Sequence, residues 1–207
     1  MLGQLGAPTG FVIAAGVFWY LLSNVSMAEF LDWGWRYPFY VAFAINVVAL
    51  FARLRLVATN EYSHLLEDRE LEPTPFGELS RSQGRNVVIG ALAALASYAL
   101  FHVVTVFPLS WIRLFSPRSI TDFLQLQMIG AGLAAIGIVV SGLIADKVGR
   151  RTTLGTLAAL IAVFSFFVPS MMGGGESGEN TFVLIGFLLL GLSYGQAAGA
   201  VTSNFPT

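Results

Sequence analysis

Six apolar runs, each about as long as the hydrocarbon core of a bilayer is thick, constrain this chain more than any single residue does. A helix rises about 1.5 Å per residue, so about 20 apolar residues cross about 30 Å of hydrocarbon. Runs of that order cover Gly10 to Ala28, Tyr37 to Val57, Val87 to Leu109, Phe123 to Ala145, Thr152 to Met172 and Thr181 to Val201. Strands of a membrane barrel would be about ten residues long and would alternate polar with apolar residues. Ala91 to Ala96 and Val183 to Leu190 are instead apolar throughout. The expected fold is an all-α membrane protein with six transmembrane helices, and its first partner is the lipid bilayer.

Charge supports that reading and excludes others. Charged residues make up 11% of the chain, less than half of the roughly 25% usual in soluble domains. The net charge of -1 gives no basic field, so nucleic acid is not a partner. The absence of cysteine excludes disulfides, thiolate catalysis and cysteine-based metal sites. The two histidines, His64 in a connection and His102 in a span, form no ligand cluster, so neither a metal nor a cofactor is expected. The opening Met1 to Pro8 lacks the charged start of a signal peptide, so the first run reads as a retained helix.

Basic residues orient the spans. Arg53, Arg55, Arg69, Arg81 and Arg85 surround the second connection and Lys147, Arg150 and Arg151 lie in the fourth; only Arg36, Arg113 and Arg118 fall in the others. Positive loops stay in the cytoplasm, which predicts that both chain ends are cytoplasmic, in a plasma or inner membrane. The fifth connection, Gly173 to Asn180, carries no cation and reads as a flexible external turn. Ala58 to Arg85, with six acids and three arginines, is the only long connection and reads as a solvated linker, although Glu61 to Glu72 has the makings of a surface helix. The expected organisation is therefore two spans in 1–57, a cytoplasmic loop in 58–85 and four spans in 86–207.

Gly142-Leu-Ile-Ala-Asp146-Lys147-Val-Gly149-Arg150-Arg151 fits G-x-x-x-D-[RK]-x-G-[RK]-[RK] at every specified position and joins two apolar runs. A connection this short needs glycine for tight backbone geometry, and its cations hold it at the cytoplasmic face. With this motif, and with Gln4 to Pro8, Trp33 to Phe39, Arg53-Leu-Arg55 and Phe205-Pro206-Thr207, the chain resembles the major facilitator superfamily, in particular its metabolite:proton symporter branch. The resemblance places the six helices at spans five to ten of a twelve-span carrier. That register implies a fragment, whose missing helices would come from the parent carrier. It also implies alternating access, a small polar solute such as an osmolyte or carboxylate, and protons as the coupling ion. It makes Asp146 a latch on the helix start at Leu2 to Thr9, with Gly142, Lys147, Gly149, Arg150 and Arg151 completing the gate.

Polar groups inside the runs are candidates for the solute path. His102 is the one ionisable residue clearly at membrane depth, where such groups point to function. Tyr98, His102 and Thr105 share a helix face by spacing, and Gln125, Gln127, Tyr194, Gln196 and Asn46 are further groups able to hydrogen-bond a solute. Each has a plainer reading as a polar contact between helices. Gly191, Gly195 and Gly199 recur every four residues, a ridge suited to close helix packing.

Two other classes remain open at this point. A non-transporting six-span scaffold or remnant would show the same hydropathy. Gly191-Leu-Ser193-Tyr-Gly195 matches the G-x-S-x-G of serine hydrolases, but a nucleophile elbow needs a strand, a sharp turn and a helix, whereas the flanks here are one apolar run. The sequon Asn24-Val25-Ser26 lies too near the lipid to favour glycosylation.

Overall fold

The computed structural model describes residues 2–57 and 76–202, and these residues are almost entirely helical. After a 3-10 turn at Leu2–Leu5 come α1 (Gly6–Asn24), α2 (Met27–Asp32), α3 (Tyr37–Val57), α4 (Phe76–Thr105), α5 (Phe107–Phe115), α6 (Ile120–Val148), α7 (Arg150–Met172) and α8 (Gly175–Thr202). Among the described residues six segments are long and apolar enough to cross a membrane: Gly3–Asn24, Gly34–Arg55, Leu95–Phe115, Ile120–Val148, Arg150–Met172 and Gly175–Gln196. The proposed surface helix at Glu61 to Glu72, His64 and the terminal Phe205-Pro206-Thr207 lie outside the described residues.

The chain forms two compact units, Asn24–Gly84 on one hand and Met1–Ser23 with Arg85–Thr207 on the other. In the smaller unit, Ser26 starts α2 with a capping box. Its hydroxyl accepts from the Glu29 amide at 3.3 Å, and its own N–H and hydroxyl donate to the Glu29 carboxylate at 3.1 and 2.7 Å. The Trp33–Tyr37 and Tyr37–Tyr40 rings meet edge to face, and the Arg36 guanidinium lies 4.7 Å from the Trp35 ring centre. Such amphipathic rings suit a membrane–water boundary.

The larger unit is organised by α6 and α8, which run parallel. Gly191 faces Ala134 and Gly195 faces Ile138, the same offset one helical turn apart. A Cβ on Gly191 would lie 2.6 Å from the Ala134 Cα, and one on Gly195 would lie 2.9 Å from the Ile138 carbonyl oxygen. The backbones therefore touch, and dispersion replaces the hydrophobic drive that lipid cannot supply. Around this seam the core gathers Val104, Ile112, Phe123, Phe164, Phe182 and Phe187, with Phe164 and Phe182 stacked at 5.6 Å. Phe11 of α1 meets Phe187 at 5.5 Å.

Three boundaries differ most from the sequence expectation; first, α4 already begins at Phe76, so residues 76–85 of the expected loop 58–85 are helical. The fifth connection is not a flexible turn over Gly173 to Asn180: Gly175, at φ 68°, already begins α8, and Glu176, Glu179 and Asn180 are helical. Acids in a first turn are favoured by the unsatisfied N–H groups there, which the local composition conceals. The third run is not one helix to Leu109 but breaks between Thr105 and Phe107. Pro108 lacks the N–H that would continue the ladder to the Val104 carbonyl.

Candidate functional site

The decapeptide Gly142 to Arg151 lies on the turn between α6 and α7, where a single residue, Gly149, separates two helices. Gly149 has φ 94°, a region open to glycine and strained for other residues. Its N–H donates to the Ala145 carbonyl at 3.0 Å, and its own carbonyl accepts from the Thr153 amide and hydroxyl at 3.1 and 3.0 Å. Gly142 is buried, while Asp146, Lys147, Arg150 and Arg151 are exposed. Local helix electrostatics favour only Lys147 of these four. Asp146 stands in the last turn of α6, and Arg150 and Arg151 in the first turn of α7, each at the end whose partial charge matches its own sign. Each such placement costs about 0.3 to 1 kcal/mol at an exposed site. The Leu2–Leu5 turn packs against α6, within the larger unit.

Within the unit, polar side chains bind backbone. Ser141 on α6 donates to the Leu192 carbonyl at 2.6 Å, and the Gln196 amide on α8 donates to the Ser141 carbonyl and hydroxyl at 2.8 and 2.9 Å. Ser97 and Ser193 share a hydrogen bond of 2.6 Å between α4 and α8. At the break after α4, the Gln127 amide donates to the Thr105 carbonyl at 2.9 Å and reaches the Val104 carbonyl at 3.4 Å. Gln127 thereby replaces the donor that Pro108 cannot supply, and Thr105 returns its hydroxyl to the Phe101 carbonyl at 2.6 Å. The carbonyl oxygens of Gln127 and Gln196 are buried and have no hydrogen-bond partner.

The solute-path candidates divide accordingly. Thr105, Gln127 and Gln196 are buried among the helices; Tyr98, His102 and Gln125 are exposed, and Tyr194 is half-buried. The Tyr98 and Tyr194 rings meet edge to face at 5.6 Å. Asn46, in the smaller unit, donates to the Ala42 carbonyl of its own helix at 2.8 Å. A cavity of about 20 Å³ lies among Pro8, Phe11, Phe101, Ile138, Gly191 and Tyr194. That is room for about one water molecule. Gly199 lies in α8, beyond the residues whose surroundings are described.

One charged group escapes sequence reasoning. Glu179 is 2% exposed and stands 3.9 Å from Arg118, which also donates to the Asn180 side chain at 2.6 Å and lies 3.9 Å from Glu176. The Arg118 guanidinium packs 5.7 Å from the Phe123 ring centre. One Glu179 oxygen and the Arg118 Nε remain without hydrogen-bond partners.

The sequence profile of the Major Facilitator Superfamily matches residues 2–207. The chain belongs to this superfamily. Among curated relatives, the inner membrane metabolite transport protein YhjE of Escherichia coli K12 is 30% identical over 99% of this chain and 48% of its own length. The proline/betaine transporter of the same strain is 26% identical over 98% of this chain and 42% of its own length. Its shikimate transporter is 27% identical over 80% of this chain and 39% of its own length. The chain spans about half the length, or less, of these relatives. No solved structure matches it.

Membership of the Major Facilitator Superfamily makes this an integral membrane protein of a transporter family and not an enzyme. The G-x-S-x-G string accordingly has a packing role: Gly191 and Gly195 abut α6, and Ser193, 6% exposed within an unbroken helix, is bonded to Ser97. The decapeptide from Gly142 to Arg151 of this facilitator chain is built on a one-residue helical turn whose charges are exposed.

Proposed function

We propose that this chain forms the central part of a secondary active carrier for a small polar metabolite, an osmolyte or a carboxylate, working by alternating access and coupled to protons. The observation that carries the reading is the superfamily match along the chain together with the complete motif on the α6–α7 turn. The names of the relatives, which speak of metabolites, proline, betaine and shikimate, support the substrate class. In this reading residues 1–57 end the first half of the carrier, 58–85 join the halves, and 86–207 begin the second. Spans beyond this chain complete the solute site, both ends of the chain face the cytoplasm, and the positive connections set that orientation. Asp146 latches onto the helix start at Leu2 to Thr9 when the cytoplasmic side is shut. The exposed Tyr98 and His102 face the solute path, where the His102 imidazole has one nitrogen able to donate and one able to accept a proton.

The test is a chimera in which this chain replaces its aligned stretch of the E. coli proline/betaine transporter. Protonophore-sensitive betaine uptake that Asp146→Asn reduces supports the reading. A chimera that reaches the membrane in full amount and takes up neither betaine, proline nor shikimate sinks it.

A further inference from the structure

A second cavity, distinct from the small one beside Tyr194, opens between α6, α7 and the side of α8. It measures about 320 Å³ and is lined by Ile144 and Val148 of α6, Thr153, Leu157 and Leu160 of α7 and Leu192 of α8. That volume is at the lower end of the roughly 300–1,000 Å³ of small-molecule sites. Its polar groups are already engaged: the Thr153 hydroxyl bonds the Gly149 carbonyl, Thr156 bonds Thr152 and Ser141 bonds Leu192. The groove therefore offers an occupant almost wholly apolar contact, and Ile144, Val148 and Leu160 are exposed in it.

Charge lies at one end only. Arg150, Thr153, Leu157 and Leu160 recur at steps of three and four, so Arg150 stands at the end of the stripe that forms the α7 wall. Lys147 flanks Ile144 and Val148 on α6, whereas Asp146, two residues from each, projects from the opposite side of that helix. An apolar slot with two cations at its end and the nearby acid turned away is complementary to a molecule with a hydrocarbon tail and an anionic head.

We propose that this groove is a binding site for an anionic phospholipid, one acyl chain lying between α6 and α7 and the phosphate on Lys147 and Arg150. The inference requires only that the chain is embedded in a membrane, so a failure to transport in the chimera leaves it standing.

Native mass spectrometry of the chain purified in detergent tests it, with phosphatidylglycerol and phosphatidylcholine of identical acyl chains and with glycerol 3-phosphate as the probes. Phosphatidylglycerol is expected to bind in preference to phosphatidylcholine. Lys147→Gln with Arg150→Gln should erase a preference of about 25-fold, two cations each contributing roughly fivefold. Val148→Phe and Leu160→Phe, which fill the groove from opposite walls, should each expel both lipids while circular dichroism reports unchanged helicity. Should one of them unfold the chain, the other and the charge variant still decide. Equal binding of the two lipids, lipid adducts that survive both folded groove fillers, or glycerol 3-phosphate competing as well as the lipid would each overturn the proposal. So would a dimer that replaces the lipid adduct and is lost in the groove fillers, since a second copy would then be the occupant.

Discussion

The two ends of α6 treat charge in opposite ways. Before its N-terminus, Arg118 is drawn in against Phe123 and holds Glu179, Asn180 and Glu176 of α8, with Glu179 almost wholly buried. At its C-terminus Asp146 and Lys147, with Arg150 and Arg151 beyond the turn, stay exposed, and three of the four are poorly placed for their own helix ends. One end is a clasp whose charges are mutually committed within the bundle. The other is a set of charges left at the surface. The parallel helix pair sealed by glycine contacts thus has one end whose charges are buried and paired and one whose charges are exposed.

Breaking the clasp should produce the largest effect. Arg118→Met leaves Glu179 as a buried charge without its cation and is expected to cost about 3–5 kcal/mol, read from thermal unfolding in detergent by circular dichroism. Arg118→Met combined with Glu179→Leu should recover most of that loss, because an apolar pair leaves no buried charge. If the double variant is as unstable as the single one, packing rather than charge holds this end. Next in size, Gly191→Val forces a side chain into the Ala134 backbone and should destabilise by about 1–3 kcal/mol or more in the same measurement. Gln127→Leu removes the donor that serves the Thr105 and Val104 carbonyls and should cost about 1 kcal/mol, with faster amide exchange confined to the α4–α5 break.

At the other end, Asp146→Asn should raise stability by no more than about 1 kcal/mol, by removing an acid from a helix C-terminus, while altering uptake by the chimera. A large loss of stability there would abolish the contrast between the ends. The smallest effect belongs to Glu29, an exposed carboxylate with a committed partner. Hydrogen bonds from the Ser26 hydroxyl and backbone N–H hold its pKa below the ordinary carboxylate value. Its contribution is therefore complete above the pKa of an unfolded glutamate and is lost as pH falls through the lower, folded value. Amide exchange at Glu29 and Phe30 should accelerate over that acidic window and not above it.

The membrane fold was legible because length and apolarity alone identify a spanning helix, and the α6–α7 turn because its glycines and cations lie within ten consecutive residues. Facing directions were not legible. Helices that are apolar on every side carry little amphipathic signal, so spacing grouped Thr105 with Tyr98 and His102, whereas the structure buries Thr105 and leaves the other two exposed. Pro108 was a visible warning of the break after α4, but its compensation by Gln127 joins residues far apart in the sequence. The Arg118 clasp was hidden for the same reason: each partner looks like an ordinary loop charge until α6 and α8 are laid side by side. The glycine-rich stretch before Glu176 suggested slack, yet two of its glycines simply turn the chain into α8.

The α6–α7 connection has no slack either. One glycine separates the two helices, its N–H bonded to Ala145 of α6 and its carbonyl bonded twice by Thr153 of α7. The hairpin is buckled at its tip: the same residue closes the last turn of one helix and opens the first turn of the next.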